Sequence, residues 1–235
     1  MTIFIIFIFI SIFSIIGYGK LFQKFFFNKE IDISNGLLGF FGLFFLSSIS
    51  YFTHLIYPHN YLHNSVLIFF GVAVFFLFIF NKQIEINKYS YLILLCLLIG
   101  IFIAKSHDDF PYYHLPNAIH FTQNKLEFGL GNLNHGFKHH SSIFYLYSVF
   151  YLPFIEIYLF NFLNFLFLFF TSIFLFDNIN KDFENKKFNN ITLINIIFLI
   201  LSVSIFNRIG EYGTDITGQL VSLILICLSL DVILK

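Results

Sequence analysis

The sequence predicts an all-α fold: a polytopic integral membrane helix bundle of about seven spans, with an outer-face loop that contains short interfacial helices. Three observations predict it. The 235-residue chain is 58% hydrophobic and only 11% charged, where a water-soluble domain carries about a quarter charged residues. Its apolar runs approach the roughly 20 residues that a helix needs to cross about 30 Å of hydrocarbon. Polar residues concentrate in a single long stretch, 105–142, which holds six of the nine histidines.

The elements follow in order. Spans are expected at 2–19, 36–56, 64–80, 90–104, 155–176, 190–206 and 217–234. The first lacks the basic flank and small-residue cleavage site of a signal peptide, so it is expected to stay as a helix. The fourth is short. The segment 141–153 is apolar but too brief to cross, and it ends at Pro153. It is expected as an interfacial or re-entrant helix. The chain divides into N-terminal membrane spans over 1–90 and a membrane core over 91–235, with its outer loop at 105–153. The 39 phenylalanines read as lipid-facing filler. Cys96 and Cys227 fall inside apolar runs and behave as small hydrophobes.

Charge predicts orientation. Lys20, Lys24, Lys29, Lys82, Lys88, Lys181, Lys186, Lys187 and Lys235 fall on one side. Lys105, Lys125, Lys138 and Arg208 fall on the other. The positive-inside rule puts the richer side in the cytoplasm, provided that 141–153 does not cross. All nine histidines then lie outside. They are either ordinary polar loop residues or an outer surface that handles protons, phosphate or metal.

The chemistry-bearing residues cluster in that outer part. Asp108 and Asp109 follow the fourth span directly. In a turn their side chains point opposite ways, so one can face a substrate as general base while the other meets a metal or scaffold group. Either can instead cap the following helix. Pro111 and Pro116 stiffen the loop, and Tyr112, Tyr113 and His114 supply rings and donors. Glu211, Tyr212 and Asp215 form a second acidic patch. Asp215 is either an N-cap or a group reaching toward the first loop. Arg208, beside it, has the planar fork that holds a phosphate. His107, His114 and His120 lack zinc-site spacing, and His139–His140 is no stronger. The glycines of FGLGNLNHG read as loop punctuation. Nothing points to nucleic acid.

DDFPYYHLPNAIHF, GLGNLNHGFKHHSS and EYGTDITGQ, in this order, resemble the GT-C membrane glycosyltransferases, and more closely a group of poorly characterised bacterial membrane proteins related to them. The resemblance covers residues 95 to 235. It implies transfer of a sugar, with inversion, from a polyprenyl-phosphate donor to an envelope glycan, lipid or protein acceptor. The site would lie on the outer face of the bacterial inner membrane. It implies a catalytic role for Asp108 or Asp109 as base and for Asp215 as second acid. Substrate binding falls to Lys105, Tyr112, Tyr113, His114, His139, His140, Arg208 and Glu211. The implied reaction needs no nucleotide, and a divalent cation is open, as class members differ. The chain departs from the class in having several spans before the Asp-Asp loop and in stopping at Lys235, which suggests a piece of a longer enzyme or half of a complex. The alternative is a non-catalytic membrane protein that binds or moves lipid-linked glycans.

Overall fold

The computed structural model describes residues 2–27, 33–85, 87–102, 108–139, 141–160, 162–204, 208–210 and 213–233. Among the described residues, seven helices form the bundle: α1 (Thr2–Phe26), α2 (Asn35–His54), α3 (Tyr61–Phe80), α4 (Lys88–Ile101), α8 (Phe162–Glu184), α9 (Asn190–Ser204) and α10 (Asp215–Ile233). Three short helices lie between α4 and α8: α5 (Leu115–Gln123), α6 (Leu130–Leu133) and α7 (Ser142–Val149). Among the described residues there is no strand, only an isolated bridge between Leu152 and Glu156. The all-α expectation is met.

Five helices (α1, α2, α3, α8 and α10) are long and apolar enough to cross a membrane. The apolar helices α4 and α9 have 14 and 15 residues, about 21–23 Å at 1.5 Å per residue. Leu77 of α3, Leu92 and Ile99 of α4, Ile200 of α9 and Leu225 of α10 are all exposed. A continuous apolar exterior on a charge-poor chain is what an integral membrane protein presents to lipid.

Small residues set the tightest crossings. Gly17 and Gly19 of α1, Gly42 of α2 and Gly71 of α3 lie where an added Cβ would strike backbone or side-chain atoms of the neighbouring helix. Helices in lipid gain little from burying apolar surface and depend on such close approach. Phe13 and Phe75 then stack with ring centroids 4.7 Å apart, and the Tyr18 hydroxyl donates to Leu67 O at 2.8 Å. Helix α8 runs through the middle: Phe162 to Leu175 are all buried, against α2, α4, α9 and α10. One core joins residues from Ile8 to Leu220, so the segments 1–90 and 91–235 share a single interior.

Two boundaries differ from the sequence reading. The fifth span begins at Phe162 rather than 155, because the chain turns over 153–160, with Phe154 and Glu156 at positive φ. It then continues to Glu184, through residues expected as a loop. Asp177 accepts from the Asn87 amide and Asn180 donates to Glu184, so the polar residues find local partners and the helix carries on. The segment 141–153 holds only eight helical residues, about 12 Å, and Phe144 to Phe150 are buried in protein. Irregular backbone at membrane depth is tolerated where protein encloses it.

Candidate functional site

The loop residues 108–139 gather at the end of the bundle where α2 stops and α3 starts. The Asp109 carbonyl accepts from the backbone N–H of Tyr112, Tyr113 and His114 at 3.2, 3.1 and 3.5 Å, and Leu115 N–H returns to Phe110 O. This makes a wide π-type turn over Phe110–His114, a geometry that recurs at functional sites. Pro111 sits in its first positions, where a missing N–H costs nothing. The Asp109 side chain makes no capping bond. Its carboxylate accepts from the Tyr113 hydroxyl at 3.2 Å.

Tyr113 is the hub. Burial, then the Asp109 hydrogen bond and the nearby negative charges of Asp109 and Asp215, hold its hydroxyl above the usual phenol range. It therefore stays a donor. The His139 ring lies 5.0 Å from the Tyr113 ring, and His135 lies 5.5 Å beyond. Asn117 of α5 locks the two halves of the loop together, donating to Tyr113 O at 2.7 Å and Gly136 O at 3.4 Å. Gly136 backs onto this turn: a Cβ there would lie 3.1 Å from Tyr113 Cβ. The Tyr147 hydroxyl donates to Gly213 O at 3.1 Å, which ties the chain ahead of α10 to α7. Three distant segments thus meet: the Asp109 turn, the His135–His139 turn and the start of α10.

The expected site residues divide as follows. Asp109, Tyr113 and His139 come together, with Asp215 close enough for its charge to act on Tyr113. Asp108 and Tyr112 are exposed. His114 is buried, its ring 4.4 Å from Tyr113 and 5.5 Å from Phe144, so it supports the turn from inside. Arg208 is half-buried just ahead of α10. Lys105, His107, His140, Glu211 and Tyr212 lie outside the described residues. Asn117, Asn134 and Tyr147 escaped the sequence reading, and His135 was read only as one of the outer histidines. Asn117 and Tyr147 act through backbone carbonyls 19 and 66 residues away, which no motif spacing announces. Among the described residues, no three His, Cys, Asp or Glu side chains stand close enough to hold a metal.

A second polar cluster lies beneath. His54 ends α2 and His59 lies in the connection to α3, and neither has exposed surface. His59 Nε2 donates to Ser50 O at 2.9 Å, which leaves Nδ1 to accept from the Ser148 hydroxyl at 2.6 Å. Burial pushes His59 down to about 3, so the ring is neutral. The Asn64 amide nitrogen, with two N–H groups, lies 2.7–2.8 Å from His59 O, Ser148 O and Tyr151 O, and its Oδ1 accepts from His63 Nδ1 at 3.0 Å. The cluster clamps the α2–α3 connection onto α7.

Fold and site define an all-helical protein of the integral-membrane type, with a carboxylate–phenol–imidazole cluster at one end of the bundle. The chain belongs to the family described as a domain of unknown function, DUF8201, which it matches over residues 1–234. No curated protein and no solved structure matches it.

Proposed function

We propose that this chain is a GT-C-type membrane glycosyltransferase, moving a sugar from a polyprenyl-phosphate donor to an acceptor hydroxyl at the outer face with inversion. The observation that carries the reading is the Asp109 carboxylate. It is half-buried, makes no capping bond, and is oriented by the Tyr113 hydroxyl. Asp109 takes the acceptor proton while the acceptor oxygen bonds to the anomeric carbon. The bond from that carbon to the donor phosphate oxygen breaks, and its electron pair leaves with the lipid phosphate. A positioned base of this kind contributes about 10²–10⁴ in rate. Asp215 helps hold the acceptor. Arg208 and His139, with Lys105 and His140, are the groups for the donor phosphate.

The proposed topology has seven spans, with α4 and α9 the short ones, and the 105–153 loop outward in a bacterial inner membrane. The lysines at the opposite end support it. There Asn35 donates to Glu85 O and Asn87 to Asp177, so the 81–88 turn and the α8 end, with Lys82, Lys88 and Lys181, share one pole.

The test uses the full chain in nanodiscs with a panel of radiolabelled polyprenyl-phosphate hexoses and envelope glycolipid acceptors. Asp109→Asn is expected to abolish transfer and leave donor binding intact. Loss of binding in proportion to transfer would instead favour the non-catalytic reading, a protein that binds or moves lipid-linked glycans. Undiminished transfer would remove Asp109 as base.

A further inference from the structure

The most exposed apolar side chains of the molecule are not on its spans. Phe128 precedes α6 and is 91% exposed, Leu133 ends α6 at 85%, and Phe154, in the turn before α8, is 87% exposed. Among the described residues, no other large apolar side chain is as exposed, those on the lipid-facing helices included. Two such tips, each held out by fixed backbone, mark an interaction surface.

The first tip is tied to the end of α2. His54 Nε2 donates to Asn124 O at 2.9 Å, and Leu126 N–H donates to His54 O at 2.9 Å. Gly129 makes the corner at φ +88°, a conformation that costs glycine nothing. Tyr51, one turn back on α2, shares a cavity wall with Phe128, Gly129 and Leu130. The tip therefore overhangs the flank of α2 on which Tyr51, Phe52 and Leu55 are exposed. The second tip is tied to the start of α3. Leu152 and Glu156 bridge its base, and Tyr151 stacks on Tyr61 with ring centroids 4.8 Å apart and planes 6° apart. Phe154 and Glu156 hold positive φ, which such residues adopt only where the surrounding structure over-determines it. Ile56 and Tyr57, in the connection between the two helices, are exposed as well.

We propose that both tips insert into the bilayer at the boundary between headgroups and acyl chains, Phe128 and Leu133 beside the end of α2 and Phe154 beside the start of α3. Lipid is the occupant because the tips continue the exposed apolar flanks of α2 and α3, the surface that already faces it. Their composition fits that boundary. Lys125, Glu127 and Asn132 are exposed around Phe128 and Leu133, and Tyr158 is exposed after Phe154. Tyrosine concentrates at the boundary, and lysine lays its stem along apolar surface while its charge stays in water. Apolar groups anchored there sit about 5–10 Å deep. The first tip runs directly into the turn over residues 134–139, which Asn117 ties to the Asp109 turn. Anchoring the tip therefore fixes the height of Tyr113 and Asp109 over the membrane. The inference stands without the transferase reading, because its test reads depth and not transfer.

The chain has no tryptophan, so a single substitution supplies its only indole. The full chain with Phe128→Trp, with Phe154→Trp or, as a hydrocarbon reference, with Phe69→Trp on the exposed side of mid-α3 is reconstituted in dioleoylphosphatidylcholine nanodiscs. The lipid is plain, brominated near the carbonyl end of its acyl chains, or brominated at mid-chain. Phe128→Trp and Phe154→Trp are expected to emit to the blue of N-acetyltryptophanamide and to resist iodide in the buffer. Bromine near the carbonyl end should quench them more than bromine at mid-chain, and Phe69→Trp should reverse that order. Tryptophan itself favours the boundary, so a second variant removes the bias. In a chain that carries Leu133→Trp, Phe128→Asp is expected to raise iodide quenching and lower bromine quenching, as a carboxylate draws the tip into water. Emission like the free indole with full iodide quenching at either tip would place that tip in water. Resistance to both quenchers would place it against protein, a second copy or another partner. An unchanged depth of Leu133→Trp on Phe128→Asp would deny Phe128 its anchoring role. Each of these three outcomes overturns the proposal.

Discussion

His59 and His63 stack face to face, with ring centroids 4.8 Å apart and planes 7° apart. His54 closes on His59 from another side at 4.7 Å. Three imidazoles this close tolerate one another only while uncharged, since a proton on one is repelled by a proton on the next. The cluster joins α2, α3 and α7 as a neutral hydrogen-bonded knot, and that neutrality has consequences for stability.

The first consequence is acid sensitivity. His59 titrates at about 3 in the folded chain against 6.5 in an unfolded one, so the unfolded chain binds the proton first. Stability from the neutral ring is complete above pH 6.5 and is lost as pH falls from there toward 3. The loss is at most about 1.4 kcal/mol per pH unit for one proton. Unfolding followed in detergent from pH 7.5 to 4.5 should show a falling midpoint. His59→Asn should fall less steeply by about one proton, although His54 and His63 remain. An identical slope in the variant would assign the effect to other groups.

The Ser148 hydroxyl is the donor that neutral His59 requires. Ser148→Ala leaves His59 Nδ1 buried and without a partner, at a cost of about 1–3 kcal/mol. The expected result is a lower melting midpoint at pH 7.5, with transfer kept in the folded fraction. A midpoint within experimental error of the parent would mean that Ser148 donates to Tyr145 O instead, the second acceptor within its reach at 2.8 Å.

Much of the bundle was legible because lipid leaves little choice: an apolar run of spanning length has to be a helix. The expected spans at 2–19, 36–56 and 64–80 and the observed α1, α2 and α3 therefore largely coincide. The start of α8 was not legible. Residues 155–160 are mostly apolar, and the positive φ of Phe154 and Glu156 marks the turn there. The turn bearing Asp109 was visible as a polar island with two prolines. Tyr113 was expected in substrate binding; its pairing with the Asp109 carboxylate four residues back was not read. The burial of His54 and His59 was not legible for a different reason. Short polar stretches such as PHNYLHNS look like surface loops, and only the packing of Ser148 and Tyr151 against Asn64 turns this one inward.

Gly42 tests the helix crossing. An alanine there would press its methyl group on the backbone carbonyl of Ile15, and neither helix can yield without parting from the other. Overpacking of this kind costs about 1–3 kcal/mol. Gly42→Ala should lower the melting midpoint, whereas Gly218→Ala, which meets open space, should hold or raise it. Equal effects would show that intrinsic helix propensity, not the α1–α2 approach, governs both positions.

The last prediction separates the two tyrosines of the Asp109 turn. Tyr112 is 75% exposed, whereas the Tyr113 hydroxyl donates to the Asp109 carboxylate. A hydrogen bond to a charged group is worth about 1.5–3 kcal/mol, so Tyr113→Phe should cut sugar transfer roughly tenfold to a hundredfold. Tyr112→Phe should change it little. The ring of Tyr113 packs against His114 and His139, and phenylalanine keeps that ring, so folding is expected to survive the change. Transfer rates for both variants, measured beside donor binding, decide the point. If Tyr113→Phe weakens binding and transfer equally, Tyr113 serves recognition. If it lowers the rate alone, it orients the base.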